Sequence, residues 1–434
     1  MVIASIDIQN RKAVQLRQGR DLVLEREDLQ ELAAEFDRYG EVAVIDLDAA
    51  MGGQSNIETI KPLLRIAECR VGGGIRTAEQ ARELVSLGAK KIIIGSAALR
   101  NPAKKGAGIS GGEFCVNKKF LEELAGKIGR ERIILAVDAR KADMPSGYEI
   151  YLDGWKTPAG LDLIETACSA EKWVSEFLFT CIDREGGMNG TDLTPVKLLR
   201  EVVACRVTAA GGVSTIEEIE TLASMGCDVQ LGMALYTGKI SLADSFVHSL
   251  DWSKSSLLPL IAQSADGQVL MCGFADREAV TESFKRGNLC FHSRSRNRLW
   301  MKGETSGNIL KLVRLRADCD RDAVLATVNP AGPVCHTGAW SCFGQDRLYT
   351  WKYLEEIITE RFRNPVPGSY TATLDNELVR EKLAEEAEEL CRAKTREELI
   401  WEGADLLYFA TALLARAGVS TGEILDELDR RHKK

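Results

Sequence analysis

Eight short β-rich runs punctuate the first 243 residues: VIASID, VAVIDLD, CRVGGG, KIIIGSA, RIILAVD, FLFTCID, RVTAAGG and DVQLGMA. Amphipathic stretches separate most of them. This alternation is the pattern of parallel βα units, and eight is the number of strands that closes a (β/α)8 barrel. The region also repeats itself. VIDLDAAMGG and CIDREGGMNG put Asp46 and Asp183 at matching strand ends, 183 − 46 = 137 residues apart. VGGGIRT (Val71 to Thr77) returns as AAGGVST (Ala209 to Thr215) at an offset of 138, and Gly95 returns as Gly232 at 137. Asp7 of SIDIQN and Asp138 of AVDARK match at 131. Four matches near one offset predict two four-strand half-barrels in tandem.

The repeat carries chemistry as well as architecture. A glycine turn after a strand lets backbone N–H groups approach a phosphate, and a following helix start adds a favourable dipole. Two related sets are present: Gly72, Gly73, Gly74 and Arg76 with Gly95 and Ser96, and Gly211 and Gly212 with Gly232. One grip per half suits a substrate with a phosphate at each end. Between the grips the strand ends offer Asp7, Asp46, Asp48, Asp138, Asp183 and Glu185. Two carboxylates flanking one substrate serve as general base and general acid when their surroundings separate their pKa values.

The remaining chain changes texture twice. Residues 246–350 are strand-rich and predict a small α+β zinc domain. Residues 352–434 show helical periodicity in LVREKLAEEAEELCRAK and REELIWEGADLLYFATALLARAG and predict an all-α bundle, with NPVPGSY as a turn leading into it. Net charge is −8 over 434 residues, which argues against a general nucleic-acid role. No apolar run reaches the roughly 18 residues of a membrane span. MVIASIDIQN lacks the plan of a signal peptide. Twelve cysteines in so long a chain read as reduced thiols. The expectation is a cytoplasmic protein with small-molecule ligands, no nucleic acid and no membrane.

ADCDRDAVLATVNPAGPVCHTGAWSCFG (Ala317 to Gly344) concentrates ligand types. Cys319, Cys335 and Cys342 offer three thiolates and no CxxC pair. Catalytic Zn²⁺ sites keep a fourth corner for water, whereas structural sites close it. His336 adjoins Cys335, an awkward place for a fourth ligand, and reads better as a general base on zinc-bound water. Asp318, Asp320 and Asp322 alternate, so an extended segment puts them on one face, and their hard oxygens suit Mg²⁺. In the helical tail, Glu385, Glu386 and Glu389 share one face, and Glu402 and Asp405 are three apart on a largely apolar helix. Acids in such a setting want a cation.

Three family resemblances follow from these motifs. SIDIQNRKAVQLRQG, VIDLDAAMGG, CRVGGGIRT, AVDAR, GWK, CIDREGG, AAGGVST and GMALYTGK together resemble phosphoribosylformimino-aminoimidazole-carboxamide ribotide isomerase over residues 1–243. That resemblance implies an Amadori rearrangement of an aminoaldose to an aminoketose. Asp7 is then the base, Asp138 a positioning carboxylate and Thr180 a strand-end hydroxyl near the sugar. The acid position, Asp-Gly-Thr in most of that family, reads Glu185-Gly186-Gly187 here, and Gln15 stands where many members have arginine. Lys104 to Asn117 looks like an insertion after the fourth strand.

FHSRSRNRLWMKGETSGN, DCDRD, CHTG and SCFG resemble phosphoribosyl-AMP cyclohydrolase. The resemblance implies zinc on Cys319, Cys335 and Cys342, Mg²⁺ on Asp318, Asp320 and Asp322, and a dimer. Arg294, Arg296 and Lys302 are expected phosphate contacts. SYTATL, REKLAEEAEEL and WEGADLLYF resemble phosphoribosyl-ATP pyrophosphohydrolase. This implies Mg²⁺ on the tail carboxylates, with Lys382 near phosphate; Thr373 and Phe409 replace a basic residue and a histidine common in that family. Together the resemblances predict a trifunctional enzyme of histidine biosynthesis, homodimeric through its last two domains. The alternative keeps the last two activities and makes the barrel a binding or scaffolding module.

Overall fold

The computed structural model describes residues 1–100, 114–344 and 346–432. Most of the stretch read as an insertion, residues 104–113, lies outside the described residues. The chain forms two compact units, Met1–Ser264 with Val269–Val334, and Ala265–Gln268 with Cys335–His432.

In the first unit eight strands run parallel in chain order: β1 (Val2–Gln9), β2 (Val42–Asp46), β3 (Cys69–Gly72), β4 (Lys91–Ile94), β5 (Ile133–Lys141), β6 (Glu176–Cys181), β7 (Arg206–Ala210) and β8 (Asp228–Leu231). Each pairs with the next, and β8 pairs back on β1 at Val2–Val229, closing a (β/α)8 barrel. β-branched residues dominate strands such as KIII and suit this fully covered sheet. Inside, Ile93, Ile134, Leu178 and Ala210 pack together, so the barrel is a filled core.

The N-terminal end of the barrel is stoppered by ions. Arg70, fully buried, bonds both Glu41 and Glu176. Lys91 reaches each of these glutamates at 3.2 Å, and Thr208 Oγ1 donates to Glu176 at 2.5 Å. Burial would raise Glu41, but Arg70 and Lys91 outweigh it and hold the carboxyl down at about 2.

The tandem repeat is visible in local detail. Helices Ala78–Ser86 and Ile216–Ser224 both open with a capping box, Thr77 with Gln80 and Thr215 with Glu218. The first strand of each half also runs on into an antiparallel hairpin. Lys12–Arg17 folds back on β1 and pairs with Asp21–Arg26, while Tyr148–Leu152 folds back on β5 and pairs with Thr157–Asp162. These hairpins project from the C-terminal end of the barrel, where the catalytic loops of such folds lie.

The same unit holds a four-stranded sheet of β9 (Leu258–Ser264), β10 (Val269–Ala275), β13 (Leu310–Ala317) and β14 (Val324–Pro330), in the order β10-β9-β14-β13. A two-stranded ribbon, β11 (Cys290–Ser293) and β12 (Arg298–Met301), lies between β10 and β13 in the chain. Phe284, on helix Arg277–Arg286, packs against Tyr39 and Phe246 at ring separations of 4.4 and 5.4 Å. Arg321 donates to Ala223 O and Cys227 O, both at 2.7 Å, and pairs with Asp228 at 3.0 Å.

The second unit is helical: Trp351–Arg363, Asn376–Arg392, Arg396–Ala417 and Thr421–His432 surround a small core of Leu354, Ile358, Leu374, Val379, Phe409 and Ala412. No helix among the described residues is long and apolar enough to cross a membrane.

Candidate active sites

At the C-terminal end of the barrel a cavity of about 870 Å³ collects the expected barrel residues. Asp7, Asp138, Thr180 and Glu185 line it, as do Gly72, Gly73, Gly74, Arg76, Gly95 and Ser96 from one half and Gly211, Gly212 and Gly232 from the other. The glycine turns are of the required kind. Gly73 has φ +98, and a Cβ there would lie 2.2 Å from Asp46 O, so only glycine lets the chain pass. Its repeat partner Gly211 has φ +92.

Three carboxyl groups converge on the cavity. Burial pushes Asp7 up to about 6, against a 2.8 Å hydrogen bond from Ser5 Oγ that favours the ionised form. Burial also raises Asp138, which accepts from Trp155 Nε1 at 2.9 Å and from Thr180. Burial and then the charges of Asp7 and Asp138 push Glu185 up to about 7. Glu185 lies beyond β6, and Gly186 lets it approach. Gly186 has φ +65, and a Cβ there would lie 2.5 Å from Leu16 O.

Three other strand-end carboxylates do not line the cavity, which corrects the sequence expectation for Asp46, Asp48 and Asp183. Asp46 caps the helix Leu47–Ala50 through Ala49 N at 3.0 Å and accepts three more bonds from Ser55 and Asn56. Asp48 accepts from Asn10 N at 2.7 Å and Asn56 Nδ2 at 2.9 Å. Asp183 faces Arg140 at 3.4 Å. A capping carboxylate and a catalytic one look alike in sequence because both stand at strand ends.

Beyond the barrel, Asp318, Asp320 and Asp322 bring carboxylate oxygens within 4.8 Å of one another. The Lys254 ammonium bonds Asp320 at 2.8 Å and Asp322 at 2.7 Å, a cation at the place expected for a metal. This donor set fits a hard divalent ion. Cys319 lies in the first unit and Cys335 and Cys342 lie in the second; thiolates are donors suited to zinc. His336 Nδ1 lies 3.8 Å from Cys335 Sγ, and Thr337 Oγ1 donates to that sulfur at 3.1 Å. Arg294 and Arg296 occupy the turn of the β11–β12 ribbon, with Arg294 stacked 3.9 Å over Phe274, and Lys302 follows β12 beside Trp300.

In the helical unit Glu386, Glu389 and Glu402 approach within 4.8 Å. Burial, then Asp405, Glu389, Glu402 and Glu385, raise the Glu386 carboxyl, because neighbouring like charges disfavour its ionised form. Glu385 is outside this trio and pairs with Lys382 at 2.5 Å. Phe409 is buried in the helical core, which accounts for an aromatic where a polar side chain would need a partner.

A family model described as histidine biosynthesis protein matches residues 1–241. The chain belongs to the histidine biosynthesis protein family. Two further models match in order, phosphoribosyl-AMP cyclohydrolase over residues 271–344 and phosphoribosyl-ATP pyrophosphohydrolase over 351–432. The histidine biosynthesis bifunctional protein HisIE of Pyrococcus furiosus is 40% identical over 206 residues, 44% of this chain and 99% of that protein. Proteins of the same name are 42% identical over 195 residues in Campylobacter jejuni and 40% over 195 in Escherichia coli K12. They correspond to the C-terminal part of the chain. This histidine biosynthesis protein therefore joins a barrel to cyclohydrolase and pyrophosphohydrolase domains.

Several residues at these sites escaped the sequence reading. Ser5 touches Asp7 and Trp155 touches Asp138; Trp155 was visible only as part of the GWK motif. Lys254 precedes its aspartate partners by more than sixty residues and carried no signal.

Proposed function

We propose that the chain catalyses three reactions: hydrolysis of phosphoribosyl-ATP to phosphoribosyl-AMP and pyrophosphate, hydrolytic opening of the adenine ring, and isomerisation of the resulting aminoaldose to the aminoketose. The observation that carries the isomerase reading is the convergence of Asp7, Asp138 and Glu185 between two glycine turns in one cavity. The turns grip the two phosphates through backbone N–H groups. Glu185, raised to about 7, protonates the furanose ring oxygen, and the ring C–O bond opens. Asp7, ionised, takes the C2′ proton, and the enol ketonises to the product. Asp138, fixed by Trp155 and Thr180, orients the sugar. The placement of Glu185 in the cavity supports this reading over a scaffolding barrel.

In the cyclohydrolase domain Cys319, Cys335 and Cys342 would hold zinc, which supplies a water acidified towards about pH 7. His336, next to Cys335, would serve as the general base of that domain, Asp318, Asp320 and Asp322 would hold Mg²⁺, and Arg294, Arg296 and Lys302 would bind phosphate. In the helical domain Glu386, Glu389 and Glu402, with Glu385 and Asp405 nearby, would hold Mg²⁺ against the triphosphate, and Lys382 neutralises a phosphate oxygen. Leu399, Ile400, Trp401 and Leu407 stand exposed on one helix, Trp401 by 71%, which supports a homodimer. Twelve cysteines spread through 434 residues, below the density of a disulfide scaffold, support a reducing, cytoplasmic location. The test of the barrel is turnover of the aminoaldose by the full chain. Asp7→Asn and Glu185→Gln should each lower kcat by about 10²–10⁴, and unchanged turnover in both contradicts the assignment.

A further inference from the structure

A second cavity, of about 480 Å³, opens beside the catalytic one. Its lining includes four cations, Arg17, Arg140, Lys141 and Arg184, and two carboxylates, Asp183 and Asp192. The balance, 4 − 2, leaves two positive charges. The carboxylates are already engaged. Asp192 caps the helix Leu193–Val202 through Thr194 N at 3.0 Å, accepts from Tyr148 Oη at 2.9 Å and pairs with Lys141 at 3.4 Å. Asp183 is 3.4 Å from Arg140 Nε but out of line for a hydrogen bond. Arg140 Nε is therefore buried with no hydrogen-bond partner among the described residues. That N–H, held near the Asp183 carboxylate but not bonded to it, is left open to an acceptor in the cavity. The guanidinium is also held ready, stacked 5.0 Å from the Tyr151 ring.

The cavity shares a wall with the catalytic site. Arg140 follows Asp138 by two on β5, so both side chains leave the same face of the strand. Arg17 and Arg184 flank the contact by which Gln18 N donates to Glu185 O at 3.2 Å. We propose that this cavity binds a phosphate dianion, separately from the two glycine turns, and that its occupancy fastens the Arg17–Gln18 segment onto Glu185. Arginine forks match phosphate oxygens, and two unbalanced charges match a dianion. The proposal does not depend on the isomerase reading.

The test is calorimetric titration of the full chain with orthophosphate and with pyrophosphate, alongside Arg140→Gln/Arg184→Gln. The double variant should lose one equivalent of binding, or bind it at least tenfold more weakly, while the sites at the glycine turns remain. Phosphate should slow hydrogen exchange at the Gln18 amide in the wild type and not in the variant. Arg17→Gln, an exposed rim substitution, should weaken the same site and serves if the double variant misfolds. Saturation by orthophosphate assigns the free ion; saturation by pyrophosphate alone assigns a phosphate on a larger molecule. Equal stoichiometry and affinity in all three proteins, or equal slowing of Gln18 exchange, overturns the proposal.

Discussion

Glu185 and Asp7 line one cavity, and the Asp7 charge is the largest cause after burial for a Glu185 carboxyl raised to about 7. Asp7 itself rises to about 6 by burial. In the proposed isomerisation the two groups, both raised towards neutrality, take opposite roles, one ionised and the other protonated.

The pH profile of isomerisation follows from that ordering. Activity should fall as pH drops below about 6, because Asp7 takes up a proton, and fall again above about 7, because Glu185 loses one. A narrow bell in kcat/KM between those limits is expected, its two apparent values belonging to the coupled pair. A profile flat from pH 5 to 9 contradicts the roles.

Asp7 also costs stability. Its folded pKa of about 6 exceeds the ordinary 3.8, so above pH 6 the folded state bears the burden of a buried charge that the unfolded chain does not. Asp7→Asn should stabilise the barrel at pH 8 by up to about 3 kcal/mol, at about 1.4 kcal/mol per unit of pKa, and by little at pH 4. Urea unfolding at the two pH values reads the difference.

Arg70 stoppers the other end of the barrel. Arg70→Met leaves the fully buried Glu176 without its closest cation and should cost about 3–5 kcal/mol. The denaturant midpoint of the barrel transition measures it; a cost under about 1 kcal/mol would show the cluster is not what holds that end.

Lys254 competes for the aspartates expected to hold Mg²⁺. Removing these two exposed ion pairs should let Lys254→Ala tighten the apparent Mg²⁺ requirement of ring opening about two- to threefold. A weaker Mg²⁺ response would instead make Lys254 part of the site.

Much of this organisation was legible in the chain itself. The eight strands announced themselves because each is a short β-branched run ending in a glycine or aspartate, and the tandem repeat fixed how the halves relate. The hairpins after β1 and β5 did not, because KAVQLR and YEIYL lie outside the repeated motifs that mark the eight barrel strands. Asp46 reads in the sequence as one strand-end carboxylate among several, because its role as a cap depends on Asn56, ten residues on, folding back to it. Lys254 and the Ser5–Asp7 contact depend on side-chain directions that no spacing reveals.

The central claim is that one chain carries phosphoribosyl-ATP through all three steps. The direct measurement is a product assay with the purified full chain, phosphoribosyl-ATP, Mg²⁺ and Zn²⁺. The aminoketose should accumulate in the wild type. With Asp7→Asn the reaction should stop at the aminoaldose, and with Cys335→Ala at phosphoribosyl-AMP. Accumulation of the aminoaldose by the wild-type chain, bound but not converted, would contradict the account.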